Sequence, residues 1–155
     1  MSASLTERRR LAVRGIVQGV GFRPFVHRLA TDLALDGVVR NDAAGVTIEL
    51  KGSRFALDAF VSRLEAEAPR LARIDSVVSR PLPPEDVAAG FAIAGSAGGR
   101  VATSIGPDSA ICDDCLADLC DPSNRRWRYA FVNCTNCGPR YTIARALPYD
   151  RATTS

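Results

Sequence analysis

The first 111 residues contain no cysteine; all five cysteines of the 155-residue chain fall between Cys112 and Cys137. The chemistry of the chain therefore changes abruptly near position 100, which predicts two modules. About 95 residues bury enough apolar surface to fold unaided, whereas about 40 need a metal or disulfides as a staple. The sequence also lacks any stretch of about 18 apolar residues, and Met1–Arg10 has no apolar segment of the signal-peptide kind. Neither membrane spanning nor secretion is expected, and a cytoplasmic location is. A formal charge of +3 is too small to demand nucleic acid or an anionic membrane as partner. A glycine-lysine loop of the ATP-binding kind is missing as well. What remains, 46% hydrophobic and 24% charged residues, is the composition of an ordinary globular protein.

Residues Arg10 to Val17 alternate, with Leu11 and Val13 on one face, which predicts a half-buried strand. Phe22, Phe25, Val26, Leu29 and Leu33 recur at helical spacing, with Pro24 tolerated in the first turn and Gly37 suited to the stop. Gly37–Asn41 and Val46–Lys51 read as a hairpin around Asp42–Gly45. Leu57, Phe60, Val61 and Leu64 make a second helical stripe, capped by Ser53 and ended by Pro69. Arg73–Arg80 gives a further strand, and Phe91–Ala94 a short edge strand. The order β-α-β-β-α-β predicts an α+β, ferredoxin-like domain over residues 1–95. A linker rich in glycine, alanine and serine follows at 96–107, and a small cysteine module occupies 108–155.

Gln18-Gly19-Val20-Gly21-Phe22-Arg23 opens the first helix. Glycines there let backbone N–H groups approach an anion, the helix end adds its dipole, and Arg23 offers two parallel donors to a phosphate. The plain alternative is a tight turn with a solvated arginine. Asn41 closes the strand that should lie beside this turn, where it could hold a water; its plain alternative is an ordinary hairpin residue. His27, the one histidine, sits on a helix flank where spacing alone does not aim it at the cradle.

Val13-Arg14-Gly15-Ile16-Val17-Gln18-Gly19-Val20-Gly21-Phe22-Arg23 and Gly37-Val38-Val39-Arg40-Asn41 resemble the two signature segments of the acylphosphatase family. The resemblance implies that the loop Gln18, Gly19, Val20, Gly21, Phe22 and Arg23 binds phosphate, with Arg23 its principal ligand. Asn41 then orients a water that attacks phosphorus, and no covalent intermediate is needed. Acyl phosphates leave readily, so positioning and charge stabilisation can do most of the catalysis.

Cys112-x-x-Cys115 and Cys134-x-x-Cys137 lie eighteen residues apart, a spacing suited to one structural Zn2+ in a closed four-thiolate shell. Redox chemistry at a single pair is the rival, and Cys120 is left over. Between the pairs, Arg125-Arg126-Trp127-Arg128-Tyr129 reads either as nucleic-acid contact or as knuckle packing, with Trp127, Tyr129 and Phe131 on one strand face. Cys112–Leu116, Asp121–Arg126 and Phe131–Ile143 resemble the first zinc-finger unit of the HypF family, carbamoyltransferases of [NiFe]-hydrogenase maturation. That resemblance implies carbamoyl phosphate as substrate. It also implies, as partners, the remaining HypF domains and a maturation protein that accepts the carbamoyl group. The ATP-dependent steps are expected in domains outside these residues, so this part resembles the entry stage, carbamoyl phosphate split to carbamate and phosphate. Two other classes compete: a docking module that keeps the loop without turnover, and a nucleic-acid-binding module. The predicted strand Val46–Lys51 carries no aromatic residue, so the stacking platform of an RNA-recognition domain is missing and no nucleic acid is expected.

Overall fold

A computed structural model describes residues 6–85, 87–95 and 110–132. The chain forms β1 (Thr6–Ile16), α1 (Phe22–Asp32), β2 (Asp36–Asp42), β3 (Gly45–Ser53), α2 (Arg54–Ala66), β4 (Arg73–Pro81), β5 (Phe91–Ile93) and α3 (Asp113–Cys120). The sheet runs β4-β1-β3-β2-β5. Its first four strands are antiparallel and β5 joins β2 in parallel. This is the expected α+β, ferredoxin-like arrangement with a short edge strand added.

Alternation divides the sheet into two chemistries. Leu11 and Val13 of β1, Val39 of β2, and Val46, Ile48 and Leu50 of β3 pack against Phe22, Val26 and Leu29 of α1 and Leu57, Phe60 and Leu64 of α2. The other face is polar. At its centre the Glu49 carboxylate accepts hydrogen bonds from Arg8 at 3.0 Å and Arg10 at 2.9 Å, with Arg40 at 3.6 Å. Burial alone would raise the Glu49 pKa, but the Arg10 and Arg8 guanidiniums hold it below the usual carboxylate range.

Ser53 caps α2 as expected, its hydroxyl accepting from the Ala56 N–H at 3.2 Å. The stop of α1 differs from the sequence expectation. The helix ends at Asp32, before Gly37, and Ala34 takes a left-handed φ of 50° while the Leu35 N–H bonds to Ala30 O at 2.9 Å. Gly37 lies inside β2, where its φ of 145° and the carbonyl oxygen of Glu49, 1.9 Å from where a Cβ would stand, leave room for glycine alone. Among the described residues no helix is long and apolar enough to cross a membrane.

Candidate functional site: a phosphate loop joined to a buried asparagine

Register places the two predicted segments together. Val13 pairs with Val46, and Val46 pairs with Asn41, so β1, β3 and β2 present these residues in one row. Val13 and Val46 are fully buried, and Asn41, 1% exposed, is the polar end of that apolar row. The chain leaves β1 beside this row and turns through residues 17–21 into α1. Gly19 at φ 71° and Gly21 at φ 73° take the left-handed conformation that a turn this tight requires. Val17, Val20 and Phe22 sink into the core, so the loop's own contribution at the surface is backbone.

Gly21 caps α1 without a side-chain bond, and no acidic residue occupies the first turn. The first intrahelical bond runs from Phe25 N to Gly21 O at 3.2 Å, so the N–H groups of Phe22 and Arg23 belong to the open end of the helix. Arg23, partly exposed, projects from the same turn. Loop amides, helix N-terminus and Arg23 thus belong to one turn, a combination of groups suited to a small anion.

One link between the halves was not foreseen from sequence. The Gln18 side-chain amide, buried at 4% exposure, donates to Asp42 O at 2.7 Å and Gly45 O at 2.6 Å. Those carbonyls flank the two-residue turn Ala43–Ala44 that follows Asn41. Asp42 stiffens the same turn: its carboxylate accepts from Ala44 N at 2.8 Å and from the Thr47 hydroxyl, with Arg14 at 3.4 Å. Burial pushes the Asp42 pKa up, and the bonds from Thr47 and Ala44 with the charge of Arg14 carry it below its ordinary value. The sequence marks Asp42 as a turn residue and Thr47 as a strand residue, and nothing local marks their side chains as partners. The signal was available only in register, since Thr47 is reached across the hairpin.

His27 lies elsewhere. Its ring meets Phe91 edge-on at 6.0 Å, and Phe91 pairs with Gly37, at the end of β2 remote from Asn41.

In the second segment, Cys112 precedes α3 as its N-cap and Cys115 is fully buried against Val132, with Ile111 and Leu119 alongside. Asp118 accepts from Asn124 at 2.8 Å and Arg126 at 3.0 Å, folding the following turns back onto α3. Val132, which packs against Cys115, stands two residues before Cys134 in the sequence. That packing and the two thiols fit half of a tetrahedral zinc shell. Cys134 and Cys137 lie outside the described residues. Among the described residues no three metal-binding side chains are gathered. The expected strand face of Trp127, Tyr129 and Phe131 is not formed. Residues 122–128 run through turns and bends, and the three rings are 48%, 54% and 61% exposed. Turn hydrogen bonds from Trp127 N to Asn124 O and Tyr129 N to Arg126 O prevail over the short alternation. Cys120 is exposed.

A four-stranded ferredoxin-like sheet with an edge strand and a glycine-opened loop at the start of its first helix defines a small α+β domain of the acylphosphatase type. The chain belongs to the acylphosphatase family, whose model matches residues 9–93, and the HypF finger model matches residues 111–144. It thus joins an acylphosphatase-type hydrolase domain to a HypF-type finger. The chain is 59% identical to the carbamoyltransferase HypF2 of Cupriavidus necator over 152 residues, covering 97% of this chain and 19% of that protein. An acylphosphatase of Caldivirga maquilingensis is 40% identical over 86 residues, 54% of this chain and 90% of the relative. A crystal structure of full-length HypF in a phosphate- and nucleotide-bound form superposes with a TM-score of 0.87 at 41% identity, over 99% of this chain and 20% of the other. The chain therefore spans about a fifth of the length of the HypF relatives it matches.

Proposed function

We propose that this chain hydrolyses acyl phosphates, with carbamoyl phosphate as its substrate, at the entry stage of carbamoyl transfer in [NiFe]-hydrogenase maturation. The observation that carries this reading is the juxtaposition of the Gln18–Arg23 loop with buried Asn41, in a domain of the acylphosphatase family that is followed by a HypF-type finger. Backbone N–H groups of the loop and the Arg23 guanidinium hold the phosphoryl oxygens. Asn41 orients a water opposite the acyl leaving group. Water oxygen bonds to phosphorus as the bond from phosphorus to the acyl oxygen breaks. Carbamate departs with that electron pair, and the water's proton passes to a phosphate oxygen. No protein base is required, because the leaving group is a weak base and alignment supplies most of the acceleration.

Residues 1–95 form the catalytic domain in this reading, 96–107 a linker and 108–155 the finger. Cys112, Cys115, Cys134 and Cys137 would hold a structural Zn2+, whose contribution is to fold the finger. The partners are the remaining domains of a HypF-type protein and a maturation protein that accepts the carbamoyl group, in the cytoplasm. Phosphate release from carbamoyl phosphate, measured beside acetyl phosphate and an enzyme-free blank, tests the reading. Release equal to the blank from both substrates would overturn it.

A further inference from the structure

The geometry assigns Gln18 a positioning role: its side-chain amide fixes Asn41 relative to the phosphate loop and does not itself hold substrate. This rests on the function proposed above and deepens it. Among the described residues, Gln18 and Asn41 are the two buried polar side chains, one on each half of the site. The halves are not neighbours in the sheet, because β3 stands between β1 and β2. Strand pairing therefore leaves the loop after β1 and the end of β2 without a shared ladder. Gln18 supplies the direct link, with its Nε2 2.7 Å from Asp42 O and 2.6 Å from Gly45 O.

An amide nitrogen carries two hydrogens, and two acceptors receive them. The Asp42 carbonyl belongs to the peptide unit between Asp42 and Ala43, and Asp42 is the next residue after Asn41, so a displacement of the loop is passed to the residue adjoining Asn41. The turn beyond it does not absorb that displacement, since the Asp42 carboxylate pins Ala44 and Thr47. The loop carries two left-handed glycines and gains its stiffness from such outside contacts. A buried amide of this kind is costly to break, because the Gly45 carbonyl would lose a partner away from water and the partly buried Asp42 carbonyl would lose one as well.

The test is a double-mutant cycle. Gln18→Met keeps the length of the side chain and removes both donors; Asn41→Ala removes the group it positions. Gln18→Met alone is expected to lower kcat about tenfold with a much smaller change in inhibition by inorganic phosphate, whereas in the Asn41→Ala background it should cost little more. Multiplicative losses, or a fall in stability with kcat per folded molecule unchanged, would overturn the role. A turnover-independent readout separates this from the function itself. On titration with inorganic phosphate, the NMR signals of Asn41 and Asp42 should shift together with those of Gly19 and Gly21 in the wild-type chain. In Gln18→Met the hairpin signals should no longer follow the loop. Equal responses of Asn41 in both proteins would overturn the coupling, whether or not acyl phosphates are hydrolysed. If Gln18→Met does not fold, Gln18→Glu replaces it, and its activity relative to wild type should rise as acid restores one donor; a constant ratio would count against the proposal.

Discussion

Arg23 and Asn41 divide the work of the proposed site by chemistry. A guanidinium makes two parallel bonds to a phosphate and an ammonium cannot copy that fork. Arg23→Lys should therefore lower turnover at least about 100-fold, the scale of losing one preorganised charge-stabilising donor. Circular dichroism should show the fold intact, since Arg23 is not among the core residues. Normal activity in that variant would refute the assignment. Asn41→Ala should reduce kcat more than it weakens inhibition by inorganic phosphate, because a group that orients water acts mainly in the transition state. Equal losses in both would make Asn41 a phosphate ligand instead. The local patterns marked these two positions as candidates only, and the roles proposed for them come from the resemblance to the acylphosphatase signature segments. Gln18 was legible only as a loop residue. Its real contact, with carbonyls 24 and 27 positions away, depends on a register that no local pattern encodes.

The hairpin of β2 and β3 is the element on which the site turns. Gly37→Ala would drive a Cβ into the Glu49 carbonyl and force a left-handed φ on alanine, and should destabilise the domain by about 2 kcal/mol or more. Denaturant midpoints would measure it; an unchanged midpoint would mean that β2 shifts freely. Acid should weaken the same hairpin. Asp42 has a folded pKa below its unfolded value, so its contribution is present above about pH 3.9 and is lost as pH falls through the lower folded value. Asp42→Asn should accordingly be less stable than wild type at pH 7 and lose less on acidification to pH 3. Identical acid sensitivity would contradict it. The elements themselves followed from apolar spacing, but Gly37 shows where spacing misleads. A glycine after a helical stripe reads as a stop, yet this one serves close strand packing and Ala34 ends the turn. Trp127, Tyr129 and Phe131 mislead in the opposite way, since three alternating aromatics do not outweigh the turn bonds around Asn124 and Arg126.

At the scale of the whole molecule, a domain with its own apolar core precedes a segment whose described core is Cys115 and Val132 with Ile111, Cys112 and Leu119. A cluster that small needs a metal to fold. Purified chain should contain zinc, with Cys115→Ser losing it and Cys120→Ser retaining it, as elemental analysis would reveal; zinc absent from the wild type, or lost equally in both variants, would overturn the ligand set. The β-α-β-β-α-β order was readable from sequence, because it rests on short-range periodicity. The joining of loop to hairpin was not, because it arises only when three strands align. The most direct measurement is phosphate release from carbamoyl phosphate by the purified chain, run beside Arg23→Lys and an enzyme-free blank. The expected result is release well above the blank from the wild type and at least about 100-fold less from Arg23→Lys; wild-type release no faster than the blank would contradict hydrolysis by this site.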